Sequence, residues 1–206
     1  MNRKLTLLVV VLLATGWYKT LLGQSTVTTG KSNLLSGYSV TVYGGRYTDR
    51  HLRAKILKLK PIYYENSWLM SLAVSKQIFD RSDFFRLELE TQFAKHIGEQ
   101  KHYEFNTLLT LRLRYQTASF SFPLSFAVGN GLSYATETPV IEERSRTNVN
   151  ASRFLNYLLL EIAVDLPILE NWEAVGRIHH RSGVFGLYSN VRGGSNIMTV
   201  GTRYNF

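Results

Sequence analysis

Between Ser119 and Tyr134 large and small side chains alternate without a break, and no other feature limits the fold so tightly. Phe120, Phe122, Leu124, Phe126, Val128, Leu132 and Tyr134 share one parity with Asn130, while Ser119, Ser121, Pro123, Ser125, Ala127, Gly129, Gly131 and Ser133 take the other. A period of two puts alternate residues on opposite faces of a strand. This run is far longer than the roughly five or six residues usual in soluble sheets.

The same period recurs along the chain. Tyr103, Phe105, Leu109, Leu111, Leu113 and Tyr115 alternate with Glu104, Asn106, Thr110, Arg112 and Arg114. Phe85, Leu87, Leu89 and Phe93 alternate with Arg86, Glu88, Glu90 and Gln92, and Leu158, Leu160, Ile162, Val164 and Leu166 with Glu161, Ala163 and Asp165. The polar face collects both signs of charge. A soluble sandwich turns such a face to water, but the pattern also fits the inverse object, with lipid outside and paired charges within. No later segment reads as a membrane helix, so a chain of this kind crosses a bilayer only as a closed barrel, which satisfies every backbone group without water.

Counting back from the C-terminus predicts strands near 196–206, 172–183, 153–167, 119–134, 102–115, 84–97 and 65–78. An even total requires one more, with 38–48 favoured over 52–62. The expected fold is therefore all-β, an eight-stranded antiparallel transmembrane β-barrel of a Gram-negative outer membrane. Eight strands leave room for side chains and no aqueous channel, which disfavours a pore. The last strand carries Met198, Val200, Thr202, Tyr204 and Phe206 on one face. Its terminal Phe206, with Tyr204 two residues earlier, resembles the C-terminal signature read by the outer-membrane barrel assembly machinery, an expected partner.

The N-terminus supports export. Asn2-Arg3-Lys4 precedes an apolar run from Leu5 to Ala14, the order of a secretory signal peptide. That run is shorter than the roughly 20 apolar residues a spanning helix needs. The expected organisation is a signal peptide at 1–23, a polar leader at 24–37 and the barrel at 38–206. The chain has 206 residues, with 24 Lys+Arg against 15 Asp+Glu and a formal net charge of +9. Such an excess suits a phosphate-rich partner; with the barrel, that partner is a membrane surface and not nucleic acid. Cysteine is absent, so disulfides and thiolate metal sites are excluded, and no cofactor or metal is expected.

One strand carries chemistry on its outer face. If Arg177 and Arg181 point inward with the other charges, His180 and Ser182 must point toward lipid. Polar side chains there cost free energy unless each finds a partner. Two residues apart, their Cα atoms lie about 6.6 Å from each other on one face, a spacing that suits a nucleophile and its base; the plainer alternative is that the pair caps the apolar band. His179 is expected inside.

The stretch Arg177-Ile178-His179-His180-Arg181-Ser182-Gly183, followed by Gly193-Gly194-Ser195-Asn196 and the terminal strand, resembles the lipid A 3-O-deacylase family of outer-membrane acyloxyacyl hydrolases. The resemblance implies an eight-stranded barrel that removes an ester-linked acyl chain from lipid A, the anchor of lipopolysaccharide. It implies His180 as base, Ser182 as nucleophile and Asn196 as the third member. Two departures stand out. Asn196 occupies the position of the family's Glu, so it can orient an imidazole but not neutralise an imidazolium. Gly183 follows the nucleophile where the family carries Asn, which leaves backbone N–H groups around Gly183 as candidate oxyanion donors. A non-catalytic barrel with a structural or lipid-binding role is the alternative.

Overall fold

Alternating apolar and polar residues produce strands whose outward and inward faces differ completely. The computed structural model describes residues 35–48, 61–82, 85–115, 123–144, 151–191 and 193–206. Its strands are β1 (Tyr38–Thr48), β2 (Tyr64–Ser82), β3 (Phe85–Gly98), β4 (Tyr103–Tyr115), β5 (Leu124–Ala135), β6 (Phe154–Asp165), β7 (Trp172–Ser182) and β8 (Gly194–Asn205), with one short helix, α1 (Val140–Arg144). Each strand pairs antiparallel with its sequence neighbour, and β1 pairs with β8 to close the barrel. No sheet edge is left open, so every ladder has partners on both sides.

Strand 38–48 completes the even number. Of the competing segment 52–62, residues 52–60 lie outside the described residues, as do the expected signal peptide and the leader up to residue 34. The run expected at 119–134 is strand from Leu124 onward; 119–122 are outside the described residues, and Pro123, which has no N–H to give a ladder, precedes the strand. β2 runs beyond its expected end at 78, through register shifts between Gln77 and Phe79 and between Asp80 and Ser82.

The ladders set the last residues of β1, β3, β5 and β7 beside the first residues of β2, β4, β6 and β8 at one end, here the loop-rich end because more sequence separates those strands. The last residues of β2, β4 and β6 lie with the C-terminus at the other. Outward side chains form an apolar belt that includes Met70, Leu72, Leu89, Leu109, Val128 and Ile162, each more than a third exposed. Aromatic residues mark both margins. Phe93, Tyr103 and Phe105 stack near the loop-rich end, and Trp172, Tyr204 and Phe206 near the other. Burying that belt in hydrocarbon and the margins in headgroups is the arrangement membrane barrels adopt. The Phe206 N–H donates to the Tyr38 carbonyl at 3.0 Å, holding the chain end against β1.

The interior is a packed ionic network. Glu161 accepts from Arg112 Nη1 at 2.6 Å and from Arg203 Nη2 at 2.6 Å, and pairs with Arg177 Nε at 2.6 Å. Each arginine holds a second carboxylate: Glu88 for Arg112, Glu90 for Arg177 and Glu173 for Arg203. Buried charges survive only when paired in this way. Tyr43, Gln92, Asn106 and Tyr157 fill the space above with hydrogen bonds, Tyr43 to Gln92 and Tyr157 to His179 among them. Small residues make room: a Cβ on Gly131 would stand 2.0 Å from the Thr107 carbonyl oxygen of β4. The lumen is therefore side chain rather than channel, as the strand number requires.

Candidate functional site

β7 carries an unbroken inside–outside alternation. Glu173, Val175, Arg177, His179 and Arg181 are buried in the lumen, and Ala174, Gly176, Ile178, His180 and Ser182 face out. His180 lies directly between Leu158 of β6 and Asn196 of β8. Its Nδ1 is 2.8 Å from the Asn196 Oδ1. With that oxygen accepting, Nδ1 carries the proton and Nε2 presents its lone pair outward. Asn196 is on the outward parity of β8 yet only 7% exposed, and its carbonyl accepts from the Thr48 hydroxyl of β1 at 3.3 Å. The third member expected from the sequence thus touches the expected base.

Ser182 sits one step nearer the loop-rich end on the same face, between Asn156 and Gly194. Gly183 begins a tight turn, Val184–Gly186. Its N–H donates to the Gly193 carbonyl at 2.9 Å, so that donor is already committed to holding the link. A Cβ there would stand 1.9 Å from the Val191 carbonyl oxygen, which explains glycine where the resembled family carries Asn. The next two residues adopt left-handed backbone, Val184 at φ 46° and Phe185 at φ 58°. For a β-branched residue that conformation costs on the order of 1–3 kcal/mol, and such strain gathers at functional sites.

The structure adds two residues that the sequence reading passed over. Asn156 of β6 is directly opposite Ser182, and Asn130 of β5 lies diagonally beyond it. Their amides bond each other, Asn130 Nδ2 to Asn156 Oδ1 at 3.2 Å, and Asn156 Nδ2 also donates to the Gly131 carbonyl at 2.9 Å. Asn130, Asn156, Ser182, His180 and Asn196 therefore form a polar tract across four adjacent strands of a mostly apolar exterior. Asn130 was visible in the sequence as the lone polar residue on the large face of its strand; Asn156 shares the parity of Leu158 and Leu160. Neither meant anything until the register brought them beside Ser182.

The wall of the barrel separates the four described histidines. His180 is outside, whereas His96, His102 and His179 are buried within. Two groups in the loop-rich links are shifted. Burial raises the Glu142 carboxyl above its ordinary range, against the pull of Arg181. Burial, followed by the neighbouring His96, pushes the His102 imidazole down to about 3.

No protein-family model matches the chain, and no curated protein sequence does. Among solved structures, the chain is similar to the outer membrane enzyme PagL, with 12% identity and a TM-score of 0.56 over 82% of this chain and 99% of that one. It is also similar to Neisserial surface protein A (11% identity, TM-score 0.49, 83% and 98% covered) and to the N-terminal β-barrel domain of Pseudomonas aeruginosa OprF (12%, 0.47, 83% and 98%). At these identities the likeness is one of fold: a closed, eight-stranded antiparallel barrel of the outer-membrane kind.

Proposed function

We propose that this chain is an outer-membrane esterase that removes an ester-linked acyl chain from lipid A or a related outer-leaflet lipid. The observation that carries this reading is the outward Nδ1–Oδ1 contact of His180 with Asn196, set in a polar tract where hydrocarbon is expected. Polar groups facing lipid are costly and mark function by default. The ester bonds of a lipid lie at the boundary of acyl chain and headgroup, the depth that residues near the loop-rich end of the strands would occupy with that end outside the cell.

In this reading Asn196 holds the Nδ1 proton and fixes the ring, so that Nε2 can take the proton of Ser182. A hydrogen bond from the Ser182 Oγ to Nε2 in the substrate complex would complete the pair; catalytic contacts commonly tighten when substrate binds. The serine Oγ attacks the acyl carbonyl, and the imidazolium gives its proton to the departing sugar oxygen, which leaves as a hydroxyl. The imidazole then takes a proton from water, which attacks the acyl-enzyme and frees the fatty acid as the proton returns to Ser182. To stabilise an oxyanion the Asn130 or Asn156 amide would exchange one of its present hydrogen bonds for one to the substrate, with N–H groups in the strained turn after Ser182 as further candidate donors. Asn196 carries no charge to balance the imidazolium, so a rate below that of a Glu-containing site follows. Arg46 supports a phosphorylated substrate: its guanidinium stacks 4.7 Å from the Trp68 ring, and its partner on β8 is Met198, two residues from Asn196.

A non-catalytic, lipid-binding barrel is favoured by one specific observation, the neutral Asn196 beside His180, which cannot balance an imidazolium by charge. Expression in a lipopolysaccharide-producing host and mass spectrometry of its lipid A separates the two. Loss of one acyl chain in the wild type, absent with Ser182→Ala and His180→Ala, supports catalysis. Unchanged lipid A with a folded barrel refutes it. Asn196→Glu is expected to raise the rate.

A further inference from the structure

We infer that the loop-rich end of the lumen holds a binding site for one divalent transition-metal ion of the zinc type, made by His96, His102 and Glu104. His96 is the inward residue near the end of β3, Glu104 the second residue of β4, and His102 lies in the link between them. All three are at most 2% exposed, and one ligand atom from each lies within 4.8 Å of the others. Two imidazoles and one carboxylate are a zinc donor set that leaves a fourth position for water.

The geometry is close to what coordination needs. His96 Nε2 and Glu104 Oε2 are 3.0 Å apart and share a proton. With metal bonds of about 2.0–2.2 Å, two ligands at a tetrahedral angle stand roughly 3.3–3.5 Å apart, so a cation can replace that proton with small adjustment. The His102 ring stacks on His96 at 4.1 Å and 16°. Its Nε2 is buried and has no hydrogen-bond partner among the described residues. A buried polar atom without a partner is costly, and one ligand atom of the same ring lies within 4.8 Å of a ligand atom of His96 and of Glu104, the pair already joined by a hydrogen bond. Closing the site requires the His102 ring to rotate out of its stack on His96, so that the in-plane lone pairs converge, and to bring its ligand atom nearer by up to about 1.4 Å, from within 4.8 Å to the tetrahedral spacing; side-chain rotation supplies that movement.

The surroundings are those of a supported site. Ligating histidines commonly donate their other nitrogen to an orienting group, and His96 Nδ1 meets the Tyr47 hydroxyl at 2.9 Å. The second Glu104 oxygen accepts from His179 at 2.9 Å and Ser133 at 3.0 Å. Arg181 stands 3.7 Å from Glu104 Oε2, but its guanidinium is drawn to Glu142 at 2.8 Å, which offsets its charge toward a cation. The backbone is fixed as well. His96 N–H donates to the His102 carbonyl at 3.0 Å, and Gly98 turns the chain at φ 101°, where a Cβ would stand 2.5 Å from the Asn66 carbonyl oxygen. This site lies on the opposite side of the wall from His180 and is independent of the esterase reading. Its effect would be to fasten the β3–β4 link into the mouth of the lumen.

The test uses the full-length barrel, without an affinity tag, refolded in detergent after chelator treatment. Zinc is titrated in competition with a chromophoric chelator, and cobalt(II) reports coordination through its visible absorption. The expected result is one zinc per chain, retained by His180→Ala. His102→Ala should weaken binding by more than the roughly 10–100-fold that losing an outer-shell partner costs. Folding of each variant is checked by heat-dependent gel mobility; should Glu104→Gln fail to fold, His102→Ala in the link still decides. A folded wild type that takes up no stoichiometric zinc, or a His102→Ala variant that binds as tightly, overturns the inference.

Discussion

Glu161 is the hub of the lumen, and its removal should cost more than that of any single-arginine carboxylate. It contacts Arg112, Arg177 and Arg203, while Glu88 contacts Arg112 alone. Breaking a buried pair by removing one partner costs about 3–5 kcal/mol. Each arginine retains its own second carboxylate, and the loss turns a cluster of four carboxylates and three guanidiniums into one of three and three. Both facts pull the cost of Glu161→Gln toward the low end, about 3 kcal/mol. Glu88→Gln leaves Arg112 with Glu161 and should cost about 1 kcal/mol, the scale of one hydrogen bond. With a urea dependence of roughly 2 kcal/mol per molar, the midpoints should fall by about 1.5 M and 0.5 M. Tryptophan fluorescence of the barrel folded in lipid vesicles, followed through a urea series, measures both. Equal shifts for the two variants would refute the hub, because only the number of arginines served distinguishes them.

Three further outcomes follow from particular positions. Gly131→Ala should cost at least about 3 kcal/mol or prevent folding, the upper range for overpacking, because its Cβ would stand 2.0 Å from a backbone oxygen of the neighbouring strand; a normal heat-shifted band on a gel would contradict the register. Val184→Gly should raise the urea midpoint by an amount equivalent to about 1 kcal/mol by relieving left-handed backbone, and under the esterase reading should lower turnover of lipid A. In metal-free protein, His102 has its imidazole held near 3 against an ordinary 6.5, so the unfolded chain binds that proton first. Its contribution is complete above about pH 6.5 and is lost as the pH falls toward 3; wild type should lose stability more steeply than His102→Gln across that window, and parallel curves would count against it.

The barrel was legible from alternation alone because lipid outside and charge inside write opposite chemistries on successive residues. Strand number, closure, the inward arginines and the outward parity of His180, Ser182 and Asn196 all follow from that period of two. Register does not follow from it, since sliding one strand by two residues preserves every face. Only the closed sheet, with its pairings fixed all the way round, set His180 opposite Asn196 and Asn156 opposite Ser182. The same holds inside. Glu161 announced itself only as an inward charge, and the convergence of three arginines on it depends on strands far apart in sequence. His96, His102 and Glu104 are close in the chain, yet their convergence depends on a turn at Gly98 whose shape is set by contact with β2. Local periodicity decides which face a side chain takes; long-range hydrogen bonding decides which neighbour it meets, and chemistry needs the neighbour.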